Sequence, residues 1–151
     1  MTYESKSVGH WAFALAGVMG AIGVAITAVL VSQGNAEGYF GLLLVVAAFF
    51  LATFGVLTVR VTPGEIAWSF GGGWIGRRLA LERVRSAEPH RSPWYWGWGI
   101  RWTPRGWLWR SYGLDVVWLE LDTGKAIGVG TQDPEGLARA VREQIGAGQG
   151  S

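Results

Sequence analysis

The sequence predicts a membrane α+β protein in which a two-helix transmembrane hairpin precedes a small antiparallel β domain with a C-terminal capping helix. Three observations support this: two long uncharged apolar runs, a change to a hydrophobic period of two, and a final amphipathic helical pattern. The 151 residues are 50% hydrophobic and only 16% charged, which excludes a disordered chain. A net charge of +2 is too small for a nucleic-acid-binding surface. The absence of cysteine excludes disulfides and thiol chemistry.

The two apolar runs match the thickness of a bilayer. Residues 11–31 and 39–59 contain no charged side chain, and 21 helical residues span about 31 Å at about 1.5 Å per residue. We therefore expect two transmembrane helices, joined by an external turn at 32–38 and preceded by a short N-terminus at 1–10. The first run is too long for the apolar region of a secretory signal.

The distribution of basic residues predicts the orientation. Of the 13 lysines and arginines, 12 lie from Arg60 onward, Lys6 precedes the first run, and the connector has none. Because cytoplasmic segments of membrane proteins are enriched in basic residues, both termini are expected in the cytoplasm. The chain is expected to lie in the inner (cell) membrane.

Small residues recur at every fourth position of the first apolar run. Such spacing lets two helix backbones approach closely. We interpret it as packing within the hairpin, with self-association as the alternative. The two lines of small residues are Ala12, Ala16 and Gly20, and Gly17, Ala21 and Ala25.

Residues 60–146 are predicted to form the β domain, because apolar residues there alternate with polar ones and glycine-containing turns interrupt them. A helix follows, with Asp133 as its N-cap, apolar positions at Leu137, Ala138, Val141 and Ile145, and Gly146 as its end. The tail 147–151 is predicted to be disordered. The predicted strands are 58–62, 65–70, 74–81, 86–90, 97–103, 107–112, 116–121 and 126–129.

Residues 58–145 resemble the bacterial pleckstrin-homology-like (PH-like) domains of small membrane proteins. The resemblance implies a bent, barrel-like antiparallel sheet or sandwich with a C-terminal helix, which binds rather than catalyses. The first hairpin turn, 62–65, has no basic residue, which argues against inositol-phosphate binding there. The matching motifs are Trp98-Gly99-Ile100-Arg101, Gly106-Trp107, Tyr112-x-Leu114, Val117-x-Leu119-x-Leu121, Thr123-Gly124-Lys125 and the run 127–137.

Tryptophan is concentrated in one segment, where six of the 10 tryptophans lie between positions 94 and 109. Their alternation over 93–103 predicts one strand with its indoles on one face, paired across a turn with a second strand. We expect Trp98 and Trp102 in the core; the alternative is that all the indoles fill the core and the arginines face water. The residues predicted to contact lipid headgroups or a membrane partner are Trp94, Trp96, Trp107, Trp109, Arg91, Arg101, Arg105 and Arg110.

Other motifs are interpreted structurally. Gly71-x-Gly73-x-x-Gly76 matches a dinucleotide fingerprint but lacks a following crossover helix, so a glycine turn is favoured. The pair Arg77-Arg78 is interpreted as a solvated strand end. No catalytic, cofactor-binding or metal-binding residues are predicted.

The sequence therefore predicts a non-enzymatic, membrane-anchored interaction module. Its expected partners are the lipid bilayer and either a membrane protein or a second copy of the chain, without nucleic acid. The alternative is a small accessory subunit of a transport or envelope complex, recognised through its transmembrane helices.

Overall fold

The computed structural model describes residues 2–34 and 39–149 and has an α+β fold. The chain forms two compact units. Residues 9–55 form the helical unit, and residues 1–8 together with 56–151 form the β domain. The external turn predicted at 32–38 lies largely outside the described residues.

The helical unit consists of α1 (His10–Ser32) and α2 (Tyr39–Phe54). Within the described ranges, α1 is the one helix long and apolar enough to cross a membrane, judged by length and composition. The amide of Gly9 donates to the carbonyl of Gly55 at 2.8 Å, which ties the two ends of the unit together.

Close approach of α1 to α2 depends on two glycines. A Cβ on Gly23 would lie 2.6 Å from the carbonyl oxygen of Gly41, and a Cβ on Gly41 would collide with Thr27 and with the backbone of Gly23. Larger residues at either position would push the helices apart. The helix pairing is therefore specified by small residues in both helices, including Gly41 in the bulkier second one.

The predicted lines of small residues have different environments. Ala12 and Ala16 are buried, and a Cβ on Gly20 would be in ordinary contact with Ala48, so the first line packs against α2. The second line, Gly17, Ala21 and Ala25, is exposed.

The first sheet of the β domain contains a strand from each side of the helical unit. Its strands are β1 (Tyr3–Val8), β2 (Val56–Thr62), β3 (Glu65–Phe70) and β4 (Ile75–Ala80), in that order and all antiparallel. Val8 pairs with Val56 and Tyr3 with Val61, so the helical unit is an insertion between two paired strands.

This arrangement changes three predicted boundaries. The N-terminus, predicted at 1–10, contains a strand, and the second helix ends at Phe54 rather than at 59. The β domain accordingly begins with β1 and resumes at Val56 rather than at 60. The apolar composition continues through 56–59, but there Leu57 and Val59 face inward, as in a strand, and the segment pairs with β1, which lies far away in sequence.

The second sheet is mixed and open. It consists of β5 (Val84–Arg91), β6 (Gly99–Thr103), β7 (Gly106–Arg110), β8 (Asp115–Leu121) and β9 (Ala126–Gly130), in the order β5-β8-β9-β7-β6. The β6–β7 hairpin adds to the edge of β9, and the β7–β9 pair is parallel, whereas the other pairs of this sheet are antiparallel. The expected barrel-like, purely antiparallel sheet is therefore not found, because the chain forms two open sheets with one parallel pair, although the eight predicted strands correspond to β2 through β9.

The core lies where the two sheets face each other. The Trp109 ring meets Trp68 edge to face, with centroids 6.0 Å apart, and stacks on Phe70 at 6.1 Å. The last helix, α3 (Pro134–Gln149), covers this core with Leu137 and Val141, which are fully buried. Because α3 continues to Gln149, the predictions that Gly146 ends it and that a disordered tail begins at 147 are wrong; Gly150 and Ser151 lie outside the described residues.

The predicted N-cap of α3 is confirmed. Asp133 Oδ1 accepts the amide of Gly136 at 2.9 Å, and its Oδ2 accepts the Tyr3 hydroxyl at 2.9 Å. These two hydrogen bonds lower the pKa of Asp133. The stabilising effect of the carboxylate is therefore present above its unfolded pKa and is lost as the pH falls through the lower folded pKa.

The insertion can be tested by removing it. Because Val8 and Val56 are register partners, replacing residues 9–55 with Asn-Gly closes a two-residue β-hairpin and is expected to give a folded β domain without the helices. A matched fragment that begins at Val56 lacks β1 and is expected to unfold at least about 10 °C lower in a thermal melt followed by near-ultraviolet circular dichroism. Equal melting temperatures would contradict the role of β1.

Candidate functional site: an exposed aromatic surface

The tryptophan-rich segment does not form one continuous strand. Trp94–Trp96 forms a 3-10 turn, and β6 begins only at Gly99. Gly97 and Gly99 have φ angles of +66° and +88°, a backbone conformation that glycine adopts readily and that interrupts the alternation of strand faces. The prediction that Trp94, Trp96 and Trp98 share one strand face is therefore wrong.

Trp96 anchors this segment to the β domain. Its ring meets the buried ring of Trp118 edge to face, with centroids 6.2 Å apart, and it packs on a cluster that includes Leu108 and Val116. This cluster lies on the opposite face of the second sheet from the main core, since Val116 and Trp118 alternate with the inward-facing Val117. Trp96 therefore covers a second, smaller core.

Arg110 provides the second anchor. Its side chain is fully buried, and the guanidinium donates hydrogen bonds to Ser92 Oγ and to the carbonyl of Gly97, one on each side of the 3-10 turn. Burial lowers the pKa of Arg110, but a guanidinium remains protonated in proteins. Charge-assisted hydrogen bonds of this kind are stronger than neutral ones and hold the segment in one conformation.

The division of tryptophans between core and surface differs from the prediction. Trp109, predicted at the surface, is only 8% exposed, and Trp96 is half-buried. Trp98 and Trp102, predicted in the core, are 57% and 67% exposed. The break at Gly97 explains the position of Trp98, because that side chain lies outside the strand. Trp94 and Trp107 are exposed, as predicted.

Trp102 and Trp107 form the predicted cross-strand pair. They are direct partners in the β6–β7 register, and their rings meet edge to face with centroids 5.4 Å apart. The pair lies on the edge hairpin of the second sheet, where the main core no longer covers it.

The four predicted surface arginines have three different environments. Arg91 and Arg101 are exposed, whereas Arg110 is buried, so its predicted surface role is wrong. Arg105 lies over the Trp118 ring at 5.2 Å, and its Nη2 is 3.4 Å from Glu88 and 3.5 Å from Glu120. Arg105 therefore packs within the β domain.

Three exposed aromatic residues were not predicted: Trp74, Tyr95 and Tyr112. Trp74 follows three glycines in the β3–β4 turn. Its position next to a glycine turn is the sequence signal that could have predicted an exposed ring. Together with Trp94 and Trp98 they form what we call the aromatic surface. Its members are Trp74, Trp94, Tyr95, Trp98 and Tyr112.

The loops that carry the aromatic surface are hydrogen-bonded to one end of the first sheet. The amide of Gly71, at the start of the Trp74 turn, donates to the carbonyl of Val56 at 3.1 Å. Ser111, which precedes Tyr112, donates its hydroxyl to the carbonyl of Ser7 at 3.4 Å. Ser7 and Val56 lie at the end of the sheet where the chain leaves for α1 and returns from α2, which we call the junction end.

The 92–98 segment is linked to the same end. The amide of Ser92 donates to the carbonyl of Leu114 at 2.7 Å, and Arg110 is followed directly by Ser111. The exposed rings of Trp94, Tyr95 and Trp98 are therefore attached close to the junction end. In the described part of the chain, no group of three His, Asp or Glu side chains is placed to hold a metal ion.

Two substitutions compare the half-buried ring of Trp96, which anchors the segment, with the exposed ring of Trp94, which does not. Trp96→Ala is expected to lower the free energy of unfolding by about 2–3 kcal/mol, because it removes a half-buried ring from the second core. Trp94→Ala removes an exposed ring two residues away and is expected to change it by less than about 0.5 kcal/mol. Denaturant unfolding of the full chain in detergent measures both, and an equal loss in the two variants would contradict the anchor.

Comparisons with known proteins give no family for this chain. No family model matches it, and a search of curated proteins finds no match. The fold and the geometry of the aromatic surface therefore carry the functional interpretation.

Proposed function

We propose that the chain is a non-enzymatic, membrane-anchored interaction module with a PH-like domain, whose aromatic surface contacts the headgroup region of the bilayer. One observation carries the proposal: exposed indole and phenol rings are gathered at the end of the β domain where the chain continues into two apolar helices. Amphipathic aromatic rings favour the membrane–water interface.

The exposed faces of the helical unit support anchoring in a bilayer. Large apolar side chains such as Phe13, Val24, Leu43 and Phe50 point away from the helix pair. An apolar surface of this extent is rare on soluble monomers and is typical of contact with lipid. The 23 residues of α1 span about 35 Å, whereas the 16 of α2 span about 24 Å.

The β1–β2 pairing supports a hairpin topology. Paired strands must lie on the same side of a membrane, so the segment between them has to cross it an even number of times. Two crossings by α1 and α2 meet this condition. The basic residues from Arg60 onward favour the cytoplasm for the β domain and therefore for both termini.

The connections between helices and strands favour contact with the bilayer. Gly9 alone separates β1 from α1, and Gly55 alone separates α2 from β2. A domain attached through two single residues explores little volume, so its junction end stays near the headgroups. Because the rings of the aromatic surface are already held in place, their contact with the headgroups costs little further conformational entropy.

The resemblance to PH-like domains is supported by two facing sheets followed by a helix. The parallel β7–β9 pair and the open edges depart from a closed antiparallel barrel. A second candidate, an accessory subunit recognised through its helices, is favoured only by the exposure of Gly17, Ala21 and Ala25. It predicts contacts between helices rather than between the β domain and lipid.

Quenching by brominated lipid tests the proposal. In vesicles containing phosphatidylcholine brominated near the headgroup, tryptophan emission of the full chain is expected to be partly quenched, because the aromatic surface lies at that depth. The double variant Trp94→Phe with Trp98→Phe is expected to lose a clear part of the quenched emission, while Trp74 of the same surface remains. Phenylalanine keeps an aromatic ring at each site, so folding is preserved.

The matched control removes the other exposed pair, Trp102→Phe with Trp107→Phe, which lies on the edge hairpin. This control is expected to retain the quenched fraction. Equal losses in the two double variants, or no quenching of the wild-type chain, would count against the proposed contact.

A further inference from the structure

The outer face of the first sheet carries a basic groove of about 600 Å³. Resting on the proposed function, we infer that this groove binds the phosphate of an acidic lipid headgroup at the membrane surface. The residues that define the basic groove are Lys6, Arg60, Arg78 and Trp74.

Strand register brings the basic residues together from distant parts of the sequence. One row across the four strands is Lys6, Thr58, Ser69 and Gly76, and the next row is Glu4, Arg60, Ala67 and Arg78. Three strand spacings of about 4.8 Å place β1 and β4 about 14 Å apart. Lys6 and Arg78 therefore stand on opposite sides of the groove, within reach of one small ligand.

The floor of the groove consists of small side chains. Thr58, Ala67 and Ser69 lie on the two central strands, and Gly76 completes the floor on β4. A Cβ on Gly76 would lie 2.7 Å from the Cβ of Ser69 and 2.8 Å from the carbonyl oxygen of Trp68, so this position excludes a side chain. Because the floor residues are small, the groove is a depression surrounded by longer basic side chains.

The charge of the groove is unbalanced. Arg60 Nη2 lies 2.9 Å from Glu4 Oε2, which neutralises one cation. For Lys6, Arg77 and Arg78, the described residues provide no ion pair at all. Lys6 and Arg78 lie on the outer face, whereas Arg77 is the register partner of the buried Trp68 and belongs to the other face of the edge strand. The two like charges on the outer face repel each other, and an anion between them would relieve that repulsion. Arginine provides several hydrogen-bond donors in a geometry that matches phosphate oxygens.

The location of the groove favours a lipid as the source of the phosphate. The row that contains Lys6 is two residues from the Val8–Val56 pair, or about 7 Å from the junction end. Trp74, at the rim, is 77% exposed and belongs to the aromatic surface. A ring at headgroup depth beside cations is suited to the interface of an anionic membrane. The groove is distinct from the 62–65 turn, which lies at the opposite end of the sheet.

The test uses the full chain in nanodiscs of phosphatidylcholine mixed with phosphatidylglycerol, and counts retained phosphatidylglycerol by native mass spectrometry. The double variant Lys6→Gln with Arg78→Gln is expected to retain roughly tenfold less, because it removes the two unpaired cations of the groove. The matched control, Arg85→Gln with Arg139→Gln, loses the same charge from exposed positions outside the groove and is expected to stay within about twofold of wild type. Near-ultraviolet circular dichroism verifies that both variants are folded.

Each outcome decides the inference. Equal losses in the two double variants, or none in the groove variant, would overturn it. Inorganic phosphate in excess, added to the same nanodiscs, distinguishes the two sources of phosphate. If it displaces phosphatidylglycerol and binds in its place, the phosphate site stands and the lipid assignment is overturned. Brominated-lipid quenching of the groove variant separates this inference from the proposed function. If the variant is still quenched but retains as much phosphatidylglycerol as wild type, the groove is overturned and the proposed contact of the aromatic surface stands.

Discussion

The pairing of β1 with β2 is the constraint on which the rest of the structure depends. It makes the helical unit an insertion between two hydrogen-bonded strands, and it places the entry into α1 and the exit from α2 at one end of one sheet. Two residues, Gly9 and Gly55, are the whole connection between that sheet and the helices. The β domain therefore has both of its connections to the helical unit at the junction end.

The junction end is built to keep aromatic rings exposed. Trp96 is half-buried and Arg110 is buried, and each holds one part of the segment that carries Trp94, Tyr95 and Trp98. Rings on a flexible loop would collapse onto the domain, whereas rings on a fixed 3-10 turn remain in solvent. Beside them, the outer face of the first sheet has cations around a floor of small residues.

Local patterns were sufficient to predict most elements. Alternation predicted the strands from β2 to β9, and the N-cap at Asp133 followed from residue type and spacing. Pairing between distant segments was not predictable, because the short polar stretch of β1 shows no apolar alternation and its contacts, with β2 and with Asp133, are all far away in sequence. The burial of Arg110 and Trp109 likewise depends on contacts with Ser92, Gly97 and the first sheet. The surface role of Lys6 and Arg78 depends on register across four strands, which a single sequence does not display.

A cross-strand disulfide tests the central claim most directly, since the chain has no natural cysteine. Glu4 and Arg60 are register partners whose side chains already meet, so Glu4→Cys with Arg60→Cys is expected to oxidise readily in membranes that contain the full chain. The control, Glu4→Cys with Arg78→Cys, places the second cysteine in the same row but two strands farther away and is expected to remain reduced. Equal oxidation of the two pairs, or none in the first, would show that the N-terminal segment does not pair with β2 and would contradict the insertion of the helices between them.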